Sequence, residues 1–345
     1  MTVRVTKEAK FYRKTQAGKV ICELCPQACE LPEGRIGFCR VRQHREGRLV
    51  SRNYGLVSSM ALDPIEKKPL YHFYPGKLIL SVGTIGCNLS CAFCQNWHIS
   101  REEAQTKPVS VEEMLGLVRV THQAQGNIGL AYTYSEPTVW FEYLTELMPA
   151  VREAGFKNVL VTNGFLNPKP WEMLLQWTDA VNIDLKGFTE AFYQRLCRGK
   201  ISPVLENIQA AAERTHVELT TLIIPGENDS PETIEALANW VARISPEIPL
   251  HLSRYFPNGR VNLPPTPVST MERAYTIASA YLRYVYLGNM DRWINVTHCP
   301  DCKIAWVERE GYQARFLVKG DHCPVCNRKI NIVMEDSAIT ERNKD

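Results

Sequence analysis

Three closely spaced cysteines are the strongest chemical signal in the sequence. Cys87, Cys91 and Cys94 lie in GCNLSCAFCQNWHIS, residues 86–100, with the spacing C-x3-C-x2-C. Thiolates bind soft metal ions, and a closed structural site usually takes four ligands. No fourth cysteine follows nearby. Either another residue completes the site, or one metal position stays open.

Two interpretations of this motif differ in the metal. His98, four residues after Cys94, could complete a structural zinc site. The preferred interpretation is a [4Fe–4S] cluster in which three thiolates hold three irons and the fourth iron has no protein ligand. An open iron is useful only if another molecule binds to it. The spacing therefore predicts an iron–sulfur cluster with one open coordination site for a further ligand.

Eight of the 12 cysteines form two more groups, at the two ends of the chain. Disulfide scaffolds are mostly small and secreted, so metal ligation is the better interpretation in a chain of 345 residues. The C-terminal group predicts a zinc ribbon, with a rubredoxin-like iron site as the alternative. The N-terminal group, C-x2-C-x3-C-x9-C, predicts structural zinc, with an auxiliary iron–sulfur cluster as the alternative. The members are Cys22, Cys25, Cys29 and Cys39, and Cys299, Cys302, Cys323 and Cys326.

The elements that must position the central cysteines alternate between strand and helix. Apolar, β-rich runs recur six times and are separated by helix-like segments, the first of which begins at Ser110. This pattern predicts an α/β fold, a partial (βα)6 TIM-like barrel with small cysteine-rich metal-binding modules at both ends. Cys87 lies four residues after the first run, at the end of a strand, where the chemistry of parallel barrels lies. The six runs are KLILSVG, IGLAYTY, NVLVTNG, AVNIDLK, VELTTLII and PLHLSRY.

The flanks of this pattern suggest three units. We expect an N-terminal module over 1–64, the barrel over 65–290, and a C-terminal module with a frayed polar tail over 291–345. The formal net charge is +3, which gives no electrostatic case for nucleic acid or an anionic membrane. No apolar run is long enough to span a bilayer, and no secretory signal is present, so a cytoplasmic protein is expected.

The central motif, with Phe93 before its last cysteine, resembles the radical S-adenosylmethionine (SAM) superfamily. In that superfamily the open iron of the [4Fe–4S] cluster binds the amino and carboxylate groups of SAM. One electron then cleaves the sulfonium to methionine and a 5′-deoxyadenosyl radical. The resemblance implies that Phe93 and Gln95 lie at the cofactor.

Further SAM contacts are implied at the ends of later strands. Glu136, in YTYSEPT, resembles the acidic residue that meets the SAM amino group, although it could simply start a helix. Asn163, in VTNGF, resembles a cofactor contact or could form a plain turn. Asp184 and Lys186, in DLKG, lie on one side of an extended strand, where Lys186 could pair with the SAM carboxylate or only with Asp184. His251 resembles a last-strand histidine near the adenosine, or is a core residue.

Some positions depart from the superfamily pattern. Tyr134 and Ser135 replace two glycines before Glu136, and Val161 replaces an aspartate of the glycyl-radical activating enzymes, which the VTNGF segment resembles. An arginine frequent on the fifth strand is absent, since Thr220 and Thr221 occupy that region.

The combination of flanks and core resembles the AmmeMemoRadiSam system radical SAM enzymes, which are related to the pyruvate formate-lyase activating enzymes. The segments that carry it are ICELCPQACELPEGRIGFCRVR, DPIEKKPLYHFYPG and the C-terminal cysteine pairs. It implies AMMECR and MEMO family proteins as partners, and a flavodoxin- or ferredoxin-like one-electron donor. The expected function is hydrogen abstraction from an unknown substrate. Alternatives are an activating enzyme that acts on a protein partner and a non-catalytic zinc-binding scaffold.

Overall fold

The computed structural model describes residues 6–102, 104–291 and 293–334. The polar tail expected to be frayed, 335–345, lies outside the described residues. None of the helices in the described ranges is long and apolar enough to cross a bilayer.

An eight-stranded sheet forms the centre of the molecule. Seven of its strands are parallel and follow one another in chain order, and Ser59–Pro64 pairs antiparallel with the first of them. The six predicted strands are confirmed, and a seventh parallel strand extends the row. The seven core strands are Leu78–Gly83, Gly129–Tyr132, Lys157–Thr162, Ala180–Asp184, His216–Ile223, Leu250–Arg254 and Val285–Gly288.

The sheet is a partial barrel, because no ladder joins its two edge strands in the described ranges. Its strands are covered on both faces. All four residues of Gly129–Tyr132 are buried, for example, which explains why these strands are continuously apolar. The expected N-terminal module, 1–64, includes Ser59–Pro64, but this strand pairs with Leu78–Gly83 and belongs to the barrel sheet.

Six longer helices connect the parallel strands and pack against the sheet. The first begins as predicted, with Ser110 as its N-cap: Ser110 Oγ accepts from Glu113 N at 3.2 Å, and Glu113 Oε2 accepts from Ser110 N at 2.7 Å. These helices are Val111–Gln125, Phe141–Glu153, Pro168–Leu175, Ser202–Ala212, Pro231–Ile244 and Val268–Ser279. Shorter turns are Ile65–Lys67, Trp97–Arg101, Pro137–Trp140, Glu190–Phe192 and the π-helical Tyr193–Cys197.

The N-terminal module consists of short antiparallel strands. Two three-stranded sheets lie beside the barrel, and a two-stranded pair joins the module to the segment after the central cysteines. The first sheet contains Lys7–Glu8, Arg48–Ser51 and Arg42–Arg45, the second Tyr12–Lys14, Val20–Cys22 and Glu30–Leu31, and the pair Leu56–Val57 and Lys107–Pro108.

The C-terminal module is a three-stranded antiparallel sheet of Ile294–His298, Ala305–Glu310 and Gln313–Phe316. Its end returns to the barrel, where Val333 N donates to His72 O and Tyr74 N donates to Val333 O, both at 2.8 Å.

Candidate functional site

A cavity of about 440 Å³ opens at the carboxyl ends of the core strands. Residues at the carboxyl ends of all seven core strands, or directly after them, contribute to its wall, which is where parallel barrels concentrate their chemistry. All but one of the residues predicted at the SAM site line it. They are Cys87, Cys91, Phe93, Cys94, Gln95, Glu136, Asn163, Asp184 and Lys186.

The three cysteines lie on a loop that starts at the end of the first core strand. Gly86 has φ +89°, and a Cβ there would stand 2.6 Å from Cys39 O, so only glycine fits this turn. The loop is held from the other side by the π-helical turn: Ser90 N donates to Cys197 O and Ala92 N to Leu196 O, both at 2.8 Å.

Polar groups face two of the three sulfurs. Cys87 Sγ accepts from Leu89 N at 3.4 Å and from Asn163 Nδ2 at 3.6 Å. Cys94 Sγ and Ser100 Oγ lie 3.6 Å apart. Donors of this kind stabilise thiolate sulfur in metal centres and tune their potential. The surroundings of these cysteines therefore suit an iron–sulfur cluster.

The alternative zinc site with His98 is not formed. His98 is exposed and does not line the cavity. Among the described residues, His98 and the three cysteines do not gather their ligand atoms within 4.8 Å of one another. A single tetrahedral zinc needs sulfurs only about 3.8 Å apart, given its bond length of roughly 2.3 Å. The wider spacing instead suits a cluster in which each thiolate binds a different iron.

A fourth thiol, Cys197, lies beside the motif. Its hydrogen bond with Cys91, followed by burial, holds the pKa of Cys91 well above the usual range. Burial, and then the charge of Glu136, raises the pKa of Cys87. Without a metal both thiols are neutral, so metal binding must release their protons. This contact could not be predicted from a local motif, because Cys197 follows Cys91 by more than a hundred residues.

Glu136 joins the ends of the second and third core strands. Its Oε1 accepts from Thr138 N at 2.9 Å and Thr162 Oγ1 at 2.7 Å, and Oε2 accepts from Asn163 N at 2.8 Å. Glu136 is also the N-cap of the turn that begins at Pro137, so the helix-start interpretation holds. Burial raises its pKa, against the effect of these hydrogen bonds. Its carboxylate is fixed in position at the cavity wall.

Asn163 is similarly fixed. Its Oδ1 accepts from Phe165 N at 2.8 Å, as in an Asx turn, while Nδ2 donates to Asn88 Oδ1 at 2.9 Å besides approaching Cys87. The turn interpretation and the contact with the cysteine site are thus both present.

Asp184 and Lys186 form an ion pair at the end of the fourth core strand, with Nζ–Oδ2 at 2.9 Å. The Lys186 side chain is 17% exposed and the Asp184 side chain 37%. Burial lowers the pKa of Lys186, but the charge of Asp184 and the hydrogen bond to it raise the pKa, which lies well above its usual range. Lys186 is therefore a fixed cation between the cysteine loop and the cavity.

His251 does not line the cavity, contrary to the expectation from the sequence. Its Nε2 lies 2.6 Å from Glu218 Oε2, and its ring packs edge-on against Tyr71 at 4.7 Å between centroids. Ser253, two residues later on the same face of the strand, lines the cavity instead. His251 lies one layer deeper in the barrel, where its ring meets the buried carboxylate of Glu218.

A hydrogen-bonded group of Tyr134, Lys68 and Asp63 at the cavity was not predicted from the sequence. Tyr134 stands where the superfamily pattern has a glycine. Its φ of +71° is a conformation easiest for glycine, so the backbone keeps the glycine-like geometry at this position. Tyr134 OH donates to Asp63 Oδ2 at 2.9 Å, and Lys68 Nζ donates to the same oxygen at 2.7 Å. Asp63 is distant in sequence, so no local pattern could reveal this group.

The C-terminal cysteines form a compact metal-binding group. All four sulfurs lie within 4.8 Å of one another, with Cys299–Cys326 at 3.5 Å and Cys302–Cys323 at 3.4 Å. Each C-P-x-C turn is followed by a left-handed residue, Lys303 or Asn327. The spacing matches four thiolates around one tetrahedral ion.

The N-terminal cysteines are brought together as well. Cys22, Cys25, Cys29 and Cys39 line one small cavity beside the barrel, together with Arg42.

Comparison with known proteins identifies the superfamily. The model of the radical SAM superfamily matches residues 81–241, and an uncharacterized protein of Methanocaldococcus jannaschii is 38% identical over 339 residues, 95% of this chain and 100% of that protein. Residues 81–241 form a radical SAM domain. A domain of this family implies SAM and an iron–sulfur cluster as cofactors, and an enzyme of this kind.

Other known proteins resemble parts of this chain. The (2S)-3-sulfopropanediol dehydratase activating enzyme of Klebsiella oxytoca is 25% identical over 138 residues, 39% of this chain and 44% of that enzyme. A radical SAM methyltransferase from Sphaerobacter thermophilus has the same fold, with a TM-score of 0.51 at 18% identity over 70% of this chain and 72% of that one.

Proposed function

We propose that this protein is a radical SAM enzyme whose [4Fe–4S] cluster is held by Cys87, Cys91 and Cys94. The observation that carries the proposal is the single cavity that gathers these cysteines with Glu136 and Lys186 from separate strand ends. When bound, the cluster supplies one electron to the SAM sulfonium, and cleavage yields methionine and a 5′-deoxyadenosyl radical that abstracts hydrogen from the substrate. The electron comes from an external flavodoxin- or ferredoxin-like donor.

The side chains around the cavity bind and orient SAM. Lys186 is the cation that would meet the SAM carboxylate, since an anion that leaves water needs a compensating charge or hydrogen bonds. Glu136, fixed by three hydrogen bonds, would accept from the SAM ammonium group. Phe93, a buried residue of the cysteine loop, and Gln95, an exposed one, line the same cavity.

The likeness to an activating enzyme favours a protein substrate as a second candidate. In this version the radical abstracts hydrogen from a partner protein at the open side of the barrel. The unidentified substrate would then be a polypeptide rather than a small molecule, and radical transfer to a candidate protein, read by electron paramagnetic resonance, distinguishes the two.

The cysteine assignment predicts the behaviour of two matched variants. Cys91→Ala should lose most of its iron and sulfide after anaerobic reconstitution, and should no longer form 5′-deoxyadenosine with dithionite and SAM. Cys197→Ala, which removes the neighbouring thiol, should keep both properties. Native SAM cleavage by Cys91→Ala would refute the assignment. Loss of the cluster in Cys197→Ala instead would point to a closed site with four thiolates and no seat for SAM.

A further inference from the structure

The N-terminal cysteines are arranged differently from the C-terminal ones. In the described part of the chain, only the C-terminal group brings its sulfurs within 4.8 Å of one another, and no three of the N-terminal sulfurs do so. The cavity that Cys22, Cys25, Cys29 and Cys39 line is also wide enough to admit a water molecule. Around one tetrahedral zinc the sulfurs stand about 2.3 Å from the centre, closer than any sulfur–water contact. The expected structural zinc therefore does not match this geometry.

A buried cation faces the same cavity. Arg42 is 1% exposed, and its Nη1 donates to Glu142 Oε1 at 2.8 Å. Its Nε and Nη2 are buried without a hydrogen-bond partner. Unpaired N–H groups of a buried guanidinium are costly unless something accepts from them. Anionic sulfur atoms of a metal–thiolate centre in the cavity would be such acceptors.

The cavity adjoins the central cysteine loop. Cys39 O packs so tightly on Gly86, the residue before Cys87, that a Cβ there would lie 2.6 Å away. Arg101 links the same two segments, with Nη1 donating to Phe38 O at 2.9 Å and Nη2 to Cys87 O at 3.0 Å. The loop that carries Cys39 and the loop that carries Cys87 are therefore in direct backbone contact.

A second contact joins the loop between Cys25 and Cys29 to the core. Gln27 Nε2 donates to Asn88 O at 3.0 Å and to Arg198 O at 2.8 Å. Cys29 is partly exposed, whereas the other three cysteines of this group are buried. The group therefore reaches from the protein surface to the residue that follows Cys87.

We propose that Cys22, Cys25, Cys29 and Cys39 hold a second iron–sulfur cluster that passes electrons to the cluster at the SAM site. All its irons are ligated by cysteine, so it binds no substrate. An external one-electron protein donor reduces it by one electron at the Cys29 side. The same electron then moves to the central cluster, and the second cluster returns to its oxidised state. The relay rests on the proposed function, whereas the presence of the second cluster does not.

Acid-labile sulfide separates this cluster from zinc. The variant Cys87→Ala/Cys91→Ala/Cys94→Ala, reconstituted anaerobically in the full chain, should retain one cluster's worth of sulfide. Adding Cys25→Ser should remove it, while the metal of the C-terminal group stays. In a control, Cys302→Ser should keep all the sulfide, because a single ion in that group carries none. A triple variant with no sulfide and a second zinc ion would overturn the proposal. The triple variant leaves the N-terminal module unchanged, so the test stands even if Cys25→Ser fails to fold.

The relay is tested with Cys25→Ser alone, after its central cluster is loaded and counted. We expect SAM cleavage to fall at least tenfold with a reduced flavodoxin-like donor, and to fall much less with dithionite, which is small enough to reach the central cavity. Equal rates relative to the unchanged protein with both donors would overturn the relay. Failure of SAM cleavage in the unchanged protein would instead refute the proposed function and leave the sulfide result intact.

Discussion

At the scale of single residues, Lys186 carries the clearest prediction about cofactor binding. It faces both the cysteine loop and the cavity, but it is also paired with Asp184 at 2.9 Å. If Lys186 contacts the SAM carboxylate, Lys186→Met should keep its iron and lose one charge-assisted contact, worth about 1.5–3 kcal/mol. At ~1.4 kcal/mol per tenfold, SAM affinity should fall by about 10- to 150-fold. Calorimetric titration of SAM into the reconstituted variant measures this, and Lys186→Ala should behave alike.

The matched variant Asp184→Asn separates this role from a purely structural ion pair. It removes the pair but leaves the cation, so SAM affinity should hold much better than in Lys186→Met. A structural pair predicts a lower melting temperature in both variants, with SAM affinity unchanged in each. That outcome would remove Lys186 from the cofactor site.

The residues also show what a sequence can tell about a site and what it cannot. The cysteine spacing, together with the resemblance of the motifs at the strand ends, predicted nine residues that line one cavity. His251 was expected there from the resemblance alone. Ser253 lines the cavity instead, because residues two apart on a strand share a face but lie at different depths in the barrel. Tyr134, Asp63 and Cys197 were missed because their contacts join segments distant in sequence.

At the scale of elements, the core strands were predictable because both of their faces are buried. A strand that is covered on both faces needs apolar residues at successive positions, so it appears in the sequence as a continuous apolar run. The start of the first helix was predictable from the capping residues at Ser110 and Glu113. The edge strands Ser59–Pro64 and Val285–Gly288 were not predicted. Ser59–Pro64 carries polar residues and has only one buried position in six, so its sequence lacks the apolar run of a core strand.

The C-terminal sheet should depend on its metal. A structural zinc site contributes about 10–16 kcal/mol of apparent binding energy in small peptides, comparable to the whole net stability of a domain, about 5–15 kcal/mol. Cys302→Ala should therefore lose the metal and the hydrogen-exchange protection of the strands between Ile294 and Phe316, while the barrel keeps its cluster. Val325→Ala, at a neighbouring position that is 66% exposed, is the control and should leave both unchanged. Retained protection in the metal-free variant would show that packing around Trp306 alone holds this sheet.

At the scale of the whole molecule, the C-terminal segment is fastened to the barrel through a buried polar network. His72 is fully buried; its Nδ1 lies 2.5 Å from Asn331 O and its Nε2 2.6 Å from Tyr286 OH. Its backbone N–H donates at 2.7 Å to Glu218, the carboxylate that also meets His251. The network therefore couples the depth of the barrel, just beneath the proposed SAM site, to the chain end.

This network predicts a loss of stability in mild acid. Burial lowers the pKa of His72 to about 3, despite the opposing charge of Glu218, while the charges of Arg309 and His216 lower it further. In the unfolded chain a histidine titrates near ~6.5, so between these values the unfolded state binds the extra proton. The free energy of unfolding should therefore keep the full contribution of neutral His72 above about pH 6.5. Below that pH it should fall by up to ~1.4 kcal/mol per pH unit.

Glu218 affects the free energy of unfolding in a lower pH range. Burial raises its pKa, but hydrogen bonds from His216 and His251 outweigh burial and hold the pKa well below its usual range. The stability that Glu218 contributes is therefore lost only near and below the ordinary glutamate range. Denaturant unfolding of the metal-loaded protein between pH 7 and 5 stays above the range in which Glu218 contributes. Burial raises the pKa of Glu66 to about 7, so Glu66 also titrates in this window, and the comparison with a His72 variant is what assigns the slope to His72. His72→Gln, which keeps hydrogen-bonding groups but has no proton to bind, should be less stable at pH 7 and show a shallower decline. An equal slope in both proteins would mean that other groups cause the acid sensitivity.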